Sequence, residues 1–230
     1  MNAPVVGLII LAAGASTRMG TPKQLLLYQG RSFLRHTAEI AIASLCQPIV
    51  VVLGANAERI KPEVSESPIQ IVENPQWAEG MSSSIRVGIE ALGSLNQNLD
   101  AVAIVLCDQP FISSQLLNQI VEAYQVTRRP IIASEYAGSL GVPALFSRAL
   151  FPELMSLKTT EGAKQIIKKY SPEVFRIPFP TEGAKQIIKK YSPKVFRIPF
   201  PEGAIDIDTP KDYQQFQAIA DESLQSWTSI

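Results

Sequence analysis

Short apolar runs alternate with amphipathic segments along most of the chain, and this alternation constrains the fold more than any other feature. Five runs have the length and composition of β-strands: residues 5–12, 48–53, 69–72, 101–106 and 130–134. The first and fourth are apolar throughout, which is typical of strands buried on both faces of a sheet. A further stretch, EYAGSLGVPALF, indicates a turn that leads into a short extra strand.

Three segments between these runs have helical spacing and begin with serines placed to cap a helix: residues 32–45, 82–92 and 113–124. Strands that alternate with helices predict a mainly parallel sheet with helices on both faces. A chain of 230 residues can bury one sizeable core, so we expect a single domain over residues 1–230.

A tandem duplication interrupts this pattern near the C-terminal end. Residues 160–180 and 181–201 are identical except that Glu173 in the first copy is replaced by Lys194 in the second. Each copy is predicted to form one helix and one short strand, and two copies are too few for a solenoid. A sheet has one position for such a unit. We therefore expect one copy to fill that position and the other to lie at the periphery, without a chemical role.

Composition excludes several classes of function. Lys plus Arg and Asp plus Glu both number 21, and this balance argues against a dedicated nucleic-acid-binding protein. Two cysteines form neither a disulfide framework nor a metal site, and His36, the only histidine, lies in a helical pattern, so a histidine-dependent triad is not expected. No apolar run is long enough to span a membrane, and no basic residue precedes the first one as in a signal peptide. We expect a cytoplasmic protein without a membrane partner.

The loop after the first predicted strand, LAAGASTRMGTPKQ, combines small residues with two cations. Gly14 allows a sharp turn and a close approach of the backbone to a ligand, and Arg18 and Lys23 supply fixed positive charge. The spacing matches neither the dinucleotide fingerprint nor the Walker loop. An ordinary strand-to-helix loop with solvated charges is the alternative, but the density of small residues and cations favours a phosphate site.

Acidic residues follow two other segments. Asp108 comes just after the predicted strand 101–106, where a carboxylate can hold Mg²⁺, although an aspartate before a proline is also a common turn residue. If residues 204–208 are extended, Asp206 and Asp208 share one face. Thr209 and Asp212 then form a capping box at the start of the last helix.

A glycine and three serines open another predicted helix. In GMSSSIR, Gly80 precedes Ser82, Ser83 and Ser84, and the free N–H groups and hydroxyls can hold an anion or a polar base edge. Helix capping by Ser82 alone is the simpler alternative.

The segments LAAGASTRMGTPKQLL, GMSSSIRVGI, LCDQP and DIDTPKDY, in this order, resemble MobA-like nucleotidyltransferases. The resemblance runs from residue 5 to about residue 216, apart from the extra 21-residue unit, and is strongest to the molybdenum cofactor cytidylyltransferases. LAAG and TPKQ are similar to the cytidylyl branch, whereas the guanylyl branch tends to show LAGG and an aspartate before the lysine. The resemblance implies a three-layer α/β/α, Rossmann-like fold of the GT-A type.

The resemblance also implies roles for individual residues. Arg18, Lys23 and Asp108 would be catalytic, with Arg18 and Lys23 on the nucleotide phosphates. Asp108 and Asp208 would hold Mg²⁺, with Asp206 as the alternative second ligand. Further nucleotide contacts would come from Leu11, Ala12, Ala13, Gly14, Gly80 and Ser82, and substrate contacts from Ser82, Ser83 and Ser84.

The implied reaction is cytidylyl transfer from CTP to a molybdopterin-type phosphate, with Mg²⁺ as cofactor and a molybdoenzyme or chaperone as a candidate recipient of the product. Another nucleotide or acceptor remains open, such as a sugar phosphate, methylerythritol phosphate or phospholactate. So does a nucleotide-binding protein that delivers a cofactor without turnover.

Overall fold

The structure is a computed structural model that describes residues 3–136, 139–158, 162–170, 195–199 and 207–217. Its strands are β1 Val6–Ala12, β2 Leu27–Tyr28, β3 Arg31–Ser32, β4 Ile49–Leu53, β5 Gln70–Glu73, β6 Ala101–Leu106, β7 Ile131–Tyr136, β8 Ser139–Ser147 and β9 Val195–Pro199. Its helices are α1 Phe33–Ile42, α2 Ala57–Ile60, α3 Met81–Leu95, α4 Ser114–Thr127, α5 Phe151–Met155, α6 Ala163–Lys169 and α7 over residues 210–217.

Seven strands form one sheet in the order β5-β4-β1-β6-β8-β7-β9, and β2 and β3 form a separate small hairpin. Neighbouring strands are parallel except where β8 pairs antiparallel with both β6 and β7. The predicted mainly parallel sheet is confirmed. The expectation that the extra strand is short is wrong, because β8 spans 9 residues and lies between two partners.

Alternate residues of β1 enter different apolar cores, which lie on opposite faces of the sheet. Leu8 and Ile10 pack with buried residues of α1 and α4, whereas Ile9 and Leu11 pack with those of α3, α5 and α6. The three-layer α/β/α fold is therefore confirmed. It places the carboxyl ends of β1, β4 and β6 side by side, since these three strands are parallel neighbours.

Two of the three predicted helix caps are confirmed. The Ser32 hydroxyl accepts a hydrogen bond from the Arg35 amide at the start of α1, and the Ser113 hydroxyl accepts one from the Leu116 amide at the start of α4. The third helix differs. α3 begins at Met81 and has Gly80 as its N-cap, so Ser82 lies inside the helix and does not cap it.

The two copies of the duplicated unit contribute different elements. α6 comes from the first copy and β9 from the second, where β9 pairs in parallel with β7 at the sheet edge. The expectation that a single copy fills the position is therefore wrong for the described residues. Both copies contain the strand sequence VFRIP, so the strand sequence does not favour one copy over the other at the sheet edge.

Candidate active site

A cavity of about 400 Å³ opens at the carboxyl edge of the sheet, where β1 and β6 end. Ten of the residues singled out from the sequence line it: Leu11, Ala12, Ala13, Gly14, Arg18, Lys23, Gly80, Ser84, Asp108 and Asp208. Asp206 lies outside the described residues. The structure thus brings segments that are far apart in sequence to one place, as expected for parallel α/β folds.

The loop from Ala13 to Pro22, which we call the glycine loop, is fastened at its base by Gln24. This side chain is only 2% exposed, and its amide nitrogen donates hydrogen bonds to the carbonyl oxygens of Ala12 at 2.8 Å and Gly14 at 2.9 Å. The Ser16 hydroxyl accepts a further bond from the Lys23 amide at 3.0 Å. These bonds fix the path of the loop before any ligand arrives.

Lys23 lies between two carboxylates. Its ammonium nitrogen donates to Asp108 at 3.2 Å and also to Asp208, and the outer oxygen of Asp208 pairs with Arg18 at 2.6 Å. The Lys23 side chain is 12% exposed and that of Arg18 is 70% exposed. One cation is therefore held inside the site, and the other is paired with Asp208 at the solvent-exposed mouth of the site.

Asp208 and Lys23 have shifted pKa values because each lies beside an opposite charge. The hydrogen bond from Lys23, together with the charge of Arg18, lowers the pKa of Asp208 against the opposing effect of burial. Burial alone would lower the pKa of Lys23, but its hydrogen bonds and charge interactions with Asp208 and Asp108 outweigh that effect and raise it. Both shifts favour the charged forms, so Asp208 is a carboxylate beside the Lys23 ammonium at neutral pH.

The donor set of this group suits Mg²⁺ or a similar cation. Mg²⁺ usually takes one or two protein carboxylates and completes its coordination with substrate phosphates and water. Asp108 and Asp208 reach the same ammonium group, so they are close enough to share one cation. Within the described part of the chain, no cluster of three or more His, Cys, Asp or Glu side chains offers a site made by protein alone.

The capping box at α7 positions Asp208. The Asp212 carboxylate accepts hydrogen bonds from the amides of Thr209 at 2.8 Å and Asp208 at 3.2 Å, and the Thr209 hydroxyl accepts one from the Asp212 amide at 3.3 Å. This box is as predicted. Asp208 itself lies just before the helix, in residues assigned to no strand.

Ser82 and Ser83 do not line the cavity. Both are buried, and the Ser83 hydroxyl donates to the carbonyl oxygen of Gly80 at 2.8 Å while it accepts from the Asn74 side chain at 2.8 Å. Of the three serines only Ser84 lines the cavity, and its hydroxyl accepts from Asn74 at 3.0 Å. Ser83 and Ser84 therefore anchor a turn, which is a role that the sequence analysis did not include.

Neither thiol nor imidazole offers a nucleophile or base. Burial raises the pKa of the Cys46 thiol to about 11 and that of Cys107 still further. His36 Nε2 donates to the carbonyl oxygen of Pro110 at 3.0 Å, and burial lowers the pKa of the imidazole.

Sequence reasoning missed Gln24, Trp77 and Met81, all of which line the cavity. Gln24 and Met81 lie inside the motifs quoted above, whereas Trp77 precedes the segment GMSSSIR. Nothing in their residue type distinguished them from core residues, since a glutamine or a tryptophan becomes notable only through its burial and partners.

Comparison with known protein families identifies the family of this chain. The model of the MobA-like NTP transferase domain matches residues 8–174. The chain belongs to this family. The predicted family relationship is thereby confirmed, and the site described above lies in the MobA-like domain, with Asp208 beyond the matched range.

Two named proteins are similar in sequence to this MobA-like chain. One is nicotine blue oxidoreductase of Paenarthrobacter nicotinovorans, 34% identical over 146 residues, which are 63% of this chain and 68% of that protein. Another is the purine catabolism protein PucB of Bacillus subtilis, 28% identical over 179 residues, with 73% and 83% of the two chains covered.

A solved structure shares most of the MobA-like fold. Rv0371c of Mycobacterium tuberculosis is 26% identical, with a TM-score of 0.70, and the match covers 94% of this chain and 98% of that chain. A complex of Rv0371c with manganese matches at 25% identity and a TM-score of 0.65, over 92% and 97% of the two chains.

Among the residues described, no helix has the length and apolar character needed to cross a membrane.

Proposed function

We propose that this protein is a nucleotidyltransferase that uses CTP and Mg²⁺ to cytidylylate a molybdopterin-type phosphate and releases pyrophosphate. The observation that carries the proposal is the pair of carboxylates, Asp108 and Asp208, joined by Lys23 beside the glycine loop. Transfer of a nucleotidyl group needs this combination of a cation site and a phosphate-binding cation, whereas simple nucleotide binding does not.

Residues of the chain supply positioning and charge in this reaction. Lys23 and Arg18 would hold the nucleotide phosphates, and the amides of the glycine loop would lie against them. Asp108 and Asp208 would hold the metal, which neutralises phosphate charge when it is bound. Catalysis of phosphate chemistry rests largely on such positioning and charge stabilisation.

The proposed reaction requires no general base on the protein. An oxygen of the acceptor phosphate attacks the α-phosphorus of the nucleotide, and the bond from that phosphorus to the bridging oxygen of pyrophosphate breaks. A phosphate monoester has a second pKa of about 6, so its attacking oxygen is already deprotonated near neutrality. This agrees with a site whose only nearby thiol, Cys107, is buried with a raised pKa.

Pyrophosphate release tests this proposal directly. CTP, GTP, ATP and UTP are each incubated with Mg²⁺, with and without a molybdopterin-type acceptor, and Asp108→Asn serves as the matched control. We expect release from CTP that depends on the acceptor and is lost in the variant. Release with another nucleotide would change the assigned substrate, and CTP binding without any release would favour a delivery protein.

The relative named nicotine blue oxidoreductase makes an oxidoreductase the second candidate, because it is 34% identical to this chain. The same protein preparation is therefore assayed for consumption of a reduced nicotinamide nucleotide in the presence of nicotine blue. Redox turnover together with silence in the pyrophosphate assay would replace the proposed function.

A further inference from the structure

Two large apolar side chains face solvent inside the cavity. Exposed large apolar residues in the described part of the chain are few: Leu27, Leu45, Trp77, Met81, Leu95 and Val126. Only Trp77, at 37% exposure, and Met81, at 44%, line the cavity that contains Lys23 and the two carboxylates. An exposed apolar patch within a concave site commonly marks a ligand contact.

Gly54 brings Trp77 against the glycine loop. It directly follows β4, and a Cβ atom built on it would lie 2.6 Å from the Cβ of Trp77 and 2.7 Å from the carbonyl oxygen of Ala13. Both distances are shorter than real Cβ contacts, so any other residue would push these segments apart. The close approach of Trp77 to the loop therefore depends on glycine at position 54, which has no Cβ atom.

A buried polar network fixes the turn that carries Trp77. Asn74 is 1% exposed, and its side chain donates to the hydroxyls of Ser83 and Ser84 and accepts from the Gln76 amide at 2.9 Å. Its own amide donates to the Leu53 carbonyl oxygen at 2.8 Å, which ties the turn to β4. The serines thus hold the turn in place.

Gly80 closes the turn in a conformation that favours glycine. Its φ of 110° and ψ of −178° lie in a region that residues with a side chain rarely adopt. Its amide donates to the Trp77 carbonyl oxygen at 3.1 Å, and Met81 follows as the first residue of α3. The two apolar side chains are therefore presented from a rigid support, which lowers the entropy lost when they contact a ligand.

We propose that Trp77 and Met81 form a stacking platform for a planar heteroaromatic ring. The indole face suits a stacked ring, and a methionine thioether packs well against the edge of one. This inference rests on the proposed function for the phosphate-bearing part of the ligand, which Lys23 and Arg18 would hold in the same cavity. The ring is either the base of the nucleotide or the ring system of the acceptor, and the experiment below separates these two sources.

Binding is measured without turnover in a protein carrying Trp227→Phe, which leaves Trp77 as the only tryptophan because the chain has two. CTP, inorganic tripolyphosphate and pterin are titrated separately. We expect the ring-bearing ligand to quench Trp77 emission and tripolyphosphate, which has no ring, to leave it unchanged. Quenching by CTP assigns the platform to the base, and quenching by pterin alone assigns it to the acceptor.

Calorimetry then compares Trp77→Leu with Trp77→Phe. Loss of one stacking contact weakens binding by roughly 10- to 100-fold, so Trp77→Leu should lose affinity by about that factor for the quenching ligand, while Trp77→Phe retains most of it. Leu45→Ala, at an exposed position outside the cavity lining, is the matched control and should bind normally.

Equal affinity of Trp77→Leu and the parent protein, or no quenching by either ring compound, would overturn the platform. If Trp77→Leu does not fold, the quenching result in the Trp227→Phe protein decides whether Trp77 contacts the ring. The outcomes also separate the two proposals. Quenching without pyrophosphate release contradicts only the proposed function, whereas normal release by a fully active Trp77→Leu contradicts only the platform.

Discussion

At the scale of single residues, Lys23 connects more of the candidate site than any other side chain described. Its amide is bonded to Ser16 in the glycine loop, and its ammonium joins Asp108, at the end of β6, to Asp208, before α7. A partly buried ion pair of this kind is costly to break from one side, because the remaining charges lose their partner. The same ammonium can serve a phosphate when one enters the cavity.

Removal of either central charge should abolish most of the activity. Loss of one charge-stabilising group typically reduces the rate by about 10²- to 10³-fold, and we expect Lys23→Ala and Asp108→Ala each to reach or exceed that loss while remaining folded. Steady-state pyrophosphate release and circular dichroism provide the two measurements. Lys61→Ala, which breaks the exposed pair with Glu73, should be active, and near-normal turnover in either site variant would remove that residue from the mechanism.

The lowered pKa of Asp208 makes stability depend on pH. An aspartate that is more acidic when folded stabilises the protein above its unfolded pKa of about 3.9, and this contribution is lost as the pH falls through the lower folded value. In urea unfolding at a series of pH values, with chelator present, Asp208→Asn should show a weaker loss of stability below about pH 4. Val126→Ala, at an exposed position without a titratable group, should keep the parent slope, and an unchanged slope in Asp208→Asn would contradict the assignment.

At the scale of elements, an aromatic cluster docks α7 and thereby places Asp208. Phe216 is 1% exposed, and its ring centroid lies 5.2 Å from Tyr28, 5.3 Å from Phe111 and 5.6 Å from Phe33. The Tyr213 hydroxyl donates to the carbonyl oxygen of Leu27 at 2.9 Å, on strand β2. The hairpin and the loop after β6 therefore hold the helix that follows the second carboxylate.

Truncation of this anchor should release α7 locally. A buried Phe→Ala change typically costs about 3–5 kcal/mol, and most of that cost in Phe216→Ala should fall on the docking of α7, while the sheet stays intact. Hydrogen exchange is expected to speed up in residues 207–217 but not in β1 or β6, and pyrophosphate release should fall with it. Val126→Ala, at a residue 76% exposed on α4, is the control, and unchanged exchange in residues 207–217 would show that other contacts hold the helix.

At the scale of the whole molecule, the duplication adds length without adding an element that the described sheet requires. The chain connects α6 of the first copy to β9 of the second through residues 170–194, of which 171–194 lie outside the described part. Because the two copies have the same strand sequence, removal of residues 174–194 joins α6 to β9 through residues 170–173 with the sequences of both elements unchanged.

That deletion should leave fold and activity intact and raise stability. The connection shortens about sixfold, from 25 residues to 4, which in the simple loop-closure relation favours the folded state by about 1.6 kcal/mol. Urea unfolding and pyrophosphate release measure the two effects. A variant with residues 174–194 scrambled keeps the length and serves as control, and failure of the deletion protein to fold would mean that the extra unit is a required part of the domain.

Much of the fold could be predicted because local patterns specify it. The apolar runs at residues 5–12 and 101–106 are nearly the observed β1 and β6, and the serine caps of α1 and α4 lie where the sequence placed them. The length of β8 could not be predicted, and neither could the finding that the first repeat copy supplies α6 and the second supplies β9. Strand pairing across the sheet decides both.

In the candidate site too, some features follow from the local sequence and others only from the tertiary structure. Residue type and spacing singled out Lys23, Asp108 and Asp208 as candidates beside simpler alternatives, and the structure brings all three to one cavity. The sequence by itself determined the family, the layered fold and these charges, because apolar periodicity and short motifs are local properties. Only the tertiary structure decided that Lys23 joins both carboxylates, that the serines hold a turn and that Trp77 faces the cavity, because these contacts arise where distant segments meet.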